Sequence, residues 1–204
     1  TQFAIKFMNK QLPKSNLAGD SLMILQSMAR YKDEFAMKLI IEKFPDSWQA
    51  RYALKGLAQK SLMGKTMPEF VLNTHLKKSF QSNELKGKHV LIDFWTTWCQ
   101  PCVMAIPTLK QIDQKIDKNK VKIVSICLDS DENQGKWQEH IVKHNMNWLQ
   151  LGTDSISSKS ITEQFNITGY PTFMLIDDKG IIKEIKMGFS EESLNKMIRG
   201  NWQK

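Results

Sequence analysis

The chain has 204 residues, enough for one large or two small domains with a substantial core. Its apolar share of 41% and charged share of 25% are ordinary for a globular protein, and no run approaches the ~18 to 20 consecutive apolar residues of a membrane helix, which predicts a soluble chain. The net charge of +8 contains no block of five like charges, internal repeats and low-complexity tracts are absent, and nucleic-acid binding finds no support.

Residues 1 to 63 hold 10 basic and 5 acidic side chains, against 19 and 16 in the remainder. That surplus reads as solvated helix faces in preference to a patch for an anionic partner or membrane surface. The chain starts at Thr1 and not Met, which points to an upstream segment removed by processing or design. Phe3, Ile5 and Phe7 alternate as in a short strand, and Pro13 to Gly19 reads as a loop. From Asp20-Ser21, a plausible N-cap, apolar residues recur at 22, 25, 28, 29, 35, 36, 39, 40 and 44, giving one long helix or two broken near Lys32-Asp33. Pro45 stops it, and Asp46-Ser47 caps a second helix carrying Trp48, Tyr52, Leu54, Leu57 and Leu62. Residues 1–63 are therefore expected to form a mainly helical segment, a helical hairpin whose apolar faces need a cover. The rest of the chain is the preferred cover, and a partner protein the alternative.

Gly64 to Pro68 reads as a linker into a second domain over 64–204. Phe70 to Asn73 and Ser79 to Gln81 predict a hairpin, and 89 to 95 an apolar strand interrupted only by Asp93. Val103, Ile106, Leu109, Ile112 and Ile116 line one face of a helix over 100–118, and 121 to 128 is a second buried strand, completing a βαβ unit. An insertion at about 130–165 follows, with a helix over 133–145, a short strand at 148–151 and a helix over 158–165. Strand 172–176, the turn Asp177-Asp-Lys-Gly180, strand 181–187 and a helix from Ser190 to Arg199 finish the chain. The fold class is α/β, a central mixed sheet flanked by helices.

Cys99-Gln-Pro-Cys102 sits where the first buried strand hands over to its helix. A thiol at a helix start meets unpaired backbone N–H groups and the positive end of the macrodipole, both of which favour thiolate. Cys99, at the helix end with its sulfur accessible, is the expected nucleophile, and Cys102, inside the first turn, the resolving thiol. Asp93, alone in an apolar strand six residues earlier, is disfavoured as an anion, so its pKa should rise into a range useful for moving a proton. Cys127 ends an apolar run and reads as a buried, inert residue. Trp95, Trp98 and the eleven methionines read first as core residues. A zinc site combining the cysteines with His140 and His144 is disfavoured: the gap from cysteine to histidine is 37 residues, and the histidines are expected on a solvent-facing helix.

Asp93-Phe-Trp-x-x-Trp-Cys-x-Pro-Cys102 resembles the active-site stretch of the thioredoxin superfamily, and Gly169-Tyr-Pro-Thr172 is similar to that family's cis-proline loop. The resemblance runs from about Gly64 to Trp202. It is nearest to the extracytoplasmic TlpA/ResA-like thiol-disulfide oxidoreductases, through Pro68-Glu-Phe-Val-Leu72, Leu85-Lys-Gly-Lys88 and the 68 residues between Cys102 and Pro171. It implies a thioredoxin-like fold and a cis bond before Pro171. It also implies a substrate groove shaped by Trp98, Gln100, Pro101, Tyr170 and Pro171, which accepts protein disulfides. A membrane or soluble thiol would donate the electrons, and the chemistry calls for no metal or organic cofactor. Two departures stand out. The glutamate and proline common in that subfamily after the second cysteine fall on Ala105 and Pro107, so the carboxylate would come from Asp93. Thioredoxin's lysine facing that carboxylate falls on Ser125. Rival readings are a peroxiredoxin-like peroxidase, which would need proline at Ile92, and a thioredoxin-fold adaptor with an incidental dithiol.

Overall fold

A computed structural model describes residues 34–129 and 133–202, so the expected strand near Phe3 and the helix start at Asp20 lie outside the described residues. The chain divides into two compact units, one ending at Ala58 and the other beginning at Gln59.

In the first unit, α1 (Glu34–Lys43) is followed by α2 (Trp48–Lys60). Ser47 joins them: its Oγ accepts the Ala50 N–H at 3.0 Å and donates to the Phe44 carbonyl at 2.6 Å, satisfying one of the orphan donors of α2. The buried contact is made by Ala36, Met37 and Ile40 with Ala50 and Ala53. Trp48 and Leu54, expected on the apolar face, stay exposed at 55% and 50%. The reason is size. Met37 lies 3.4 Å from where a side chain on Gly56 would begin, a fit that only small residues on α2 allow.

The second unit carries a seven-stranded sheet with order β2-β1-β5-β4-β3-β6-β7. Its elements are β1 (Val71–Thr74), β2 (Ser79–Gln81), β3 (His89–Trp95), α3 (Gln100–Lys115), β4 (Val121–Cys127), α4 (Gln134–His144), β5 (Leu149–Gly152), α5 (Ser155–Gln164), β6 (Thr172–Ile176), β7 (Ile182–Met187) and α6 (Glu191–Trp202). β3, β4 and β5 run parallel, β6 and β1 pair antiparallel with β3 and β5, and β7 and β2 pair antiparallel with β6 and β1 in turn. The inserted β5 lies between β4 and the β1–β2 hairpin.

β3 is the hub because it feeds two cores. Val90, Ile92 and Phe94 pack into one with Val124, Ile126, Phe165 and Met174, on the α5 side. Leu91 and Trp95 pack into the other with the cysteines and with Ala105, Ile106, Leu109, Ile141, Leu194 and Met197 of α3, α4 and α6. This period of two puts Asp93 on the α3 side.

Four helix boundaries differ from the sequence expectation, and one of them is the end of α6, which runs on to Trp202 past Arg199. α3 ends at Lys115, not 118, because Asp117 turns the chain, its Oδ1 accepting the Asn119 N–H at 2.9 Å and its carbonyl the Lys120 and Val121 N–H groups. α5 starts at Ser155, three residues early, because Asp154 caps it: Oδ1 accepts the Ser157 N–H at 2.7 Å while Ser157 Oγ accepts the Asp154 N–H at 2.9 Å. α4 stops at His144, with Asn145 in the left-handed region at φ 50°.

Candidate active site

The C-terminal ends of β3 and β4 are clamped together before the cysteines begin. The Leu128 N–H donates to the Trp95 carbonyl at 2.9 Å. Just beyond, buried Asp129 receives the Thr97 N–H at 3.2 Å and the Thr97 hydroxyl at 2.6 Å, both on Oδ2. Nothing in the sequence around Asp129 marks this role, since it lies 32 residues from its partner. The clamp fixes the three residues from which α3 springs.

Cys99 is the N-cap of α3, and its Sγ accepts the Cys102 N–H at 3.2 Å. Pro101 falls in the first turn, where a missing N–H leaves no helical bond unmade. Cys99 and Cys102 are joined in a disulfide. Cys99 is 5% exposed and Cys102 3%, so the accessible Cys99 sulfur expected from sequence is not what the oxidised form presents: bonded, each sulfur covers the other. Once the bond opens, Cys99 is left with a backbone donor aimed at its sulfur and the helix dipole behind it, which favours its thiolate.

Asp93, 4% exposed, lies in the same buried layer. Ser125 is its neighbour across β4 and donates its hydroxyl to Asp93 Oδ2 at 3.0 Å. The indole N–H of Trp148, just before β5, donates to Ser125 Oγ at 2.9 Å. Because the indole can only donate, the serine hydrogen is committed to the carboxyl. Oδ2 is thus occupied as an acceptor, and Oδ1, with no partner among the described residues, is the oxygen open to a proton. Burial pushes the Asp93 pKa from the ordinary 3.8 to about 7, with the Ser125 hydrogen bond pulling it back. Ser125 was legible as the residue opposite Asp93. Trp148 was not, because its contact depends on how the insertion returns to the sheet.

The bond between Tyr170 and Pro171 is cis. Thr172, next in the chain, pairs with Phe94, so Pro171 stands beside the end of β3 from which the cysteine loop emerges. The Thr172 hydroxyl donates to the Gly169 carbonyl at 2.8 Å, and the Gly188 N–H to the Pro171 carbonyl at 2.8 Å. Among the described residues, the backbone N–H and carbonyl of Tyr170 take no backbone hydrogen bond. The Tyr170 ring meets Trp98 edge-on at 5.7 Å, which brings the two loops together. Trp98, read first as core, is 69% exposed, whereas Trp95 is buried at 1%. Gln100 and Pro101 are exposed and Pro171 is buried. The structure thus gathers the two cysteines, Asp93, Trp98, Tyr170 and Pro171 around the start of α3.

His140 is not solvent-facing as expected. It meets the edge of Trp95 at 5.9 Å because Trp137 and Ile141 turn that side of α4 inward, and it stacks on His144 at 5.5 Å. Burial, then His144 and Lys143, lower its pKa. Burial holds the Cys127 thiol far above its usual value, Asp129 adding to the effect, which fits an inert residue. Ile92, where a peroxidatic loop would need proline, is fully buried inside β3.

A family model described as thioredoxin-like matches residues 87–182. The thioredoxin-like protein YneN of Bacillus subtilis is 31% identical over 126 residues, which covers 61% of this chain and 71% of that protein. The thiol-disulfide oxidoreductase ResA of Bacillus anthracis is 30% identical over 130 residues, covering 64% and 72%. In fold, the solution structure of a thiol:disulfide interchange protein from Bacteroides sp. superposes with a TM-score of 0.62 at 22% identity, over 70% of this chain and 91% of that one. A helix-start dithiol on this sheet, with relatives of that kind, makes the chain an oxidoreductase of thiols and disulfides, and it belongs to the thioredoxin superfamily, among the TlpA/ResA-like thiol-disulfide oxidoreductases.

Proposed function

We propose that the enzyme reduces disulfides in client proteins, in the bacterial cell envelope, drawing electrons from a membrane or soluble thiol donor. The Cys99 thiolate attacks a client disulfide and forms a mixed disulfide. Cys102 gives its proton to Asp93, displaces the client sulfur from Cys99, and closes the Cys99–Cys102 bond as two electrons pass to the client. Trp98, Gln100 and Pro101 form the exposed rim that the client meets, with Tyr170 and Pro171 as the opposite wall. The unengaged backbone at Tyr170 is suited to pairing with an extended client segment.

The observation that carries this reading is the Cys99 sulfur at the N-cap of α3, receiving a backbone N–H, with a buried carboxyl of raised pKa on the same face of β3 as the residues that pack on the cysteines. The direction of electron flow and the envelope location are what the resemblance to the TlpA/ResA-like enzymes implies. Potentials in the superfamily run from about −270 to about −120 mV, a spread of roughly 7 kcal/mol in the same exchange.

The test has two parts. Cys102→Ser should accumulate covalent adducts of Cys99 with client proteins. If Cys99→Ser captures clients in its place, the roles are reversed. Equilibration with glutathione should give a potential near the reducing end of the range, and a value near −120 mV would make the enzyme an oxidant.

A further inference from the structure

The sheet carries an unusual row of polar residues. Ser125 is paired with Asp93 on one side and with Gln150 of β5 on the other. Beyond β5, the His75 N–H donates to the Gln150 carbonyl at 3.3 Å, continuing the β1–β5 pairing. Residues in register share a face, so Asp93, Ser125, Gln150 and His75 cross the sheet side by side, on the face that Trp137 of α4 covers at Gly152. Gln150 is 0% exposed, yet neither its Oε1 nor its Nε2 has a partner among the described residues. Asp93 Oδ1 and His75 Nδ1 are likewise buried and without a partner among them. An apolar side chain in place of Gln150 would avoid the desolvation penalty. At the outer end of the row a surface cleft of about 490 Å³ is lined by Asn73, His75, Trp137, Gly152 and Thr153, and the Trp137 indole N–H beside it also has no partner among the described residues.

We infer that ordered water fills this row, and that Gln150 holds it against Asp93 Oδ1 as a proton exit leading to the cleft beside His75. Groups with this pattern of buried, unmet donors and acceptors are those that internal waters serve, typically with about three hydrogen bonds each. The inference rests on Asp93 being the base proposed above. In the resolving step the Cys102 S–H proton passes to Asp93 Oδ1, the Cys102 sulfur forms the bond to Cys99, and the client sulfur leaves with the electron pair of the broken bond. Asp93 then returns to carboxylate by handing its proton to the Gln150-bound water, and one proton emerges at the cleft. A client docked over Trp98 and Tyr170 closes the front of the site, so an exit at the back lets the proton leave before the client does.

Among the described residues, other ionisable groups near Asp93 are few. Cys127 lies two residues beyond Ser125 on β4, the active cysteines sit on α3, Phe173 faces Asp93 from β6, and His140 of α4 reaches Trp95. Lys77 stands near the cleft end, two residues beyond His75.

Gln150→Leu and Gln150→Met, in the full chain, test the idea. The reduced enzyme is mixed with dithionitrobenzoate, and the release of thionitrobenzoate is followed from pH 6 to 9. The first release reports attack by Cys99, and the second reports resolution by Cys102. Without the water hydrogen bond the Asp93 carboxylate that takes the Cys102 proton is disfavoured, so both variants should slow the second phase about tenfold near neutral pH and leave the first unchanged. The 13C titration of the Asp93 carboxyl should move to higher pH, a readout that loss of packing alone does not shift. An unmoved titration or an unchanged second phase in the variants overturns the inference. Asp93→Asn separates the two readings: if it leaves the second phase intact, Asp93 is not the base and the exit falls with it. If it slows that phase while the Gln150 variants do not, only the exit is refuted.

Discussion

Replacing Asp93 by Asn tests the burial argument without any enzyme assay. The folded chain holds the Asp93 proton up to about pH 7, whereas the unfolded chain releases it near the ordinary 3.8. Below that lower value both states are protonated and stability is unaffected. As pH rises through the window the unfolded state gains from ionising first, so folding stability falls and then levels off above about 7. At ~1.36 kcal/mol for each tenfold change in proton affinity, the whole fall is about 4 kcal/mol. Asn has no proton to lose, and its amide oxygen can still accept the Ser125 hydroxyl in place of Oδ2. The stability of Asp93→Asn relative to the parent should therefore increase by about 4 kcal/mol between pH 4 and pH 8. Any fixed effect of the amide cancels in that comparison. Urea unfolding of both oxidised proteins at pH 4, 5.5, 7 and 8 measures it directly. A difference flat to within ~1 kcal/mol over that range would mean that the carboxyl is not desolvated as the structure has it.

Removing the Ser125 hydroxyl should act in the same direction on the parent carboxyl. Ser125→Ala deletes the bond that lowers the Asp93 pKa, so the midpoint of the pH–rate profile should move upward, and the Trp148 indole left unpaired should cost roughly 1–3 kcal/mol of stability by thermal unfolding. Asp129→Ala strips the Thr97 N–H and hydroxyl of their acceptor, and should lower stability by about 1–3 kcal/mol and slow disulfide reduction, while Asp129→Asn, which can still accept, should do less of both. Cys127 should resist iodoacetamide at pH 8 in the folded enzyme and react only on unfolding, as mass spectrometry of tryptic peptides would reveal. Tyr170→Ala should raise KM for a protein disulfide several-fold with little effect on a small aromatic disulfide, and equal losses on both would place Tyr170 in the chemistry and not in client binding.

The parts of this enzyme legible in its sequence are those whose signals are local. The apolar run of β3, broken once by Asp93, gives the strand, its burial and its odd carboxyl together. The cysteine spacing at a strand-to-helix junction gives the dithiol. What remained hidden depends on register across distant segments. Trp148 and Gln150 reach the row of Asp93 only because β5 docks beside β4, and no periodicity within the insertion says where it lands. Trp95 and Trp98 are the same residue type three positions apart, yet one fills the core and the other the rim, because the strand ends between them. In α2 the large side chains drew attention while Ala50 and Ala53 made the contact, since close approach of two helices selects small residues.

Inserting β5 in the interior of the sheet also decides what its borders look like. At one border β2 is only three residues long. At the other, β7 exposes Lys183 with Glu184 and Lys186 beside it, and its first residue is already bonded to the Gly64–Lys65 backbone. Short, charged or covered margins discourage the edge-to-edge accretion that leads to fibres. A protein that exchanges disulfides with other polypeptides thereby offers them few unguarded hydrogen-bonding edges on the described sheet.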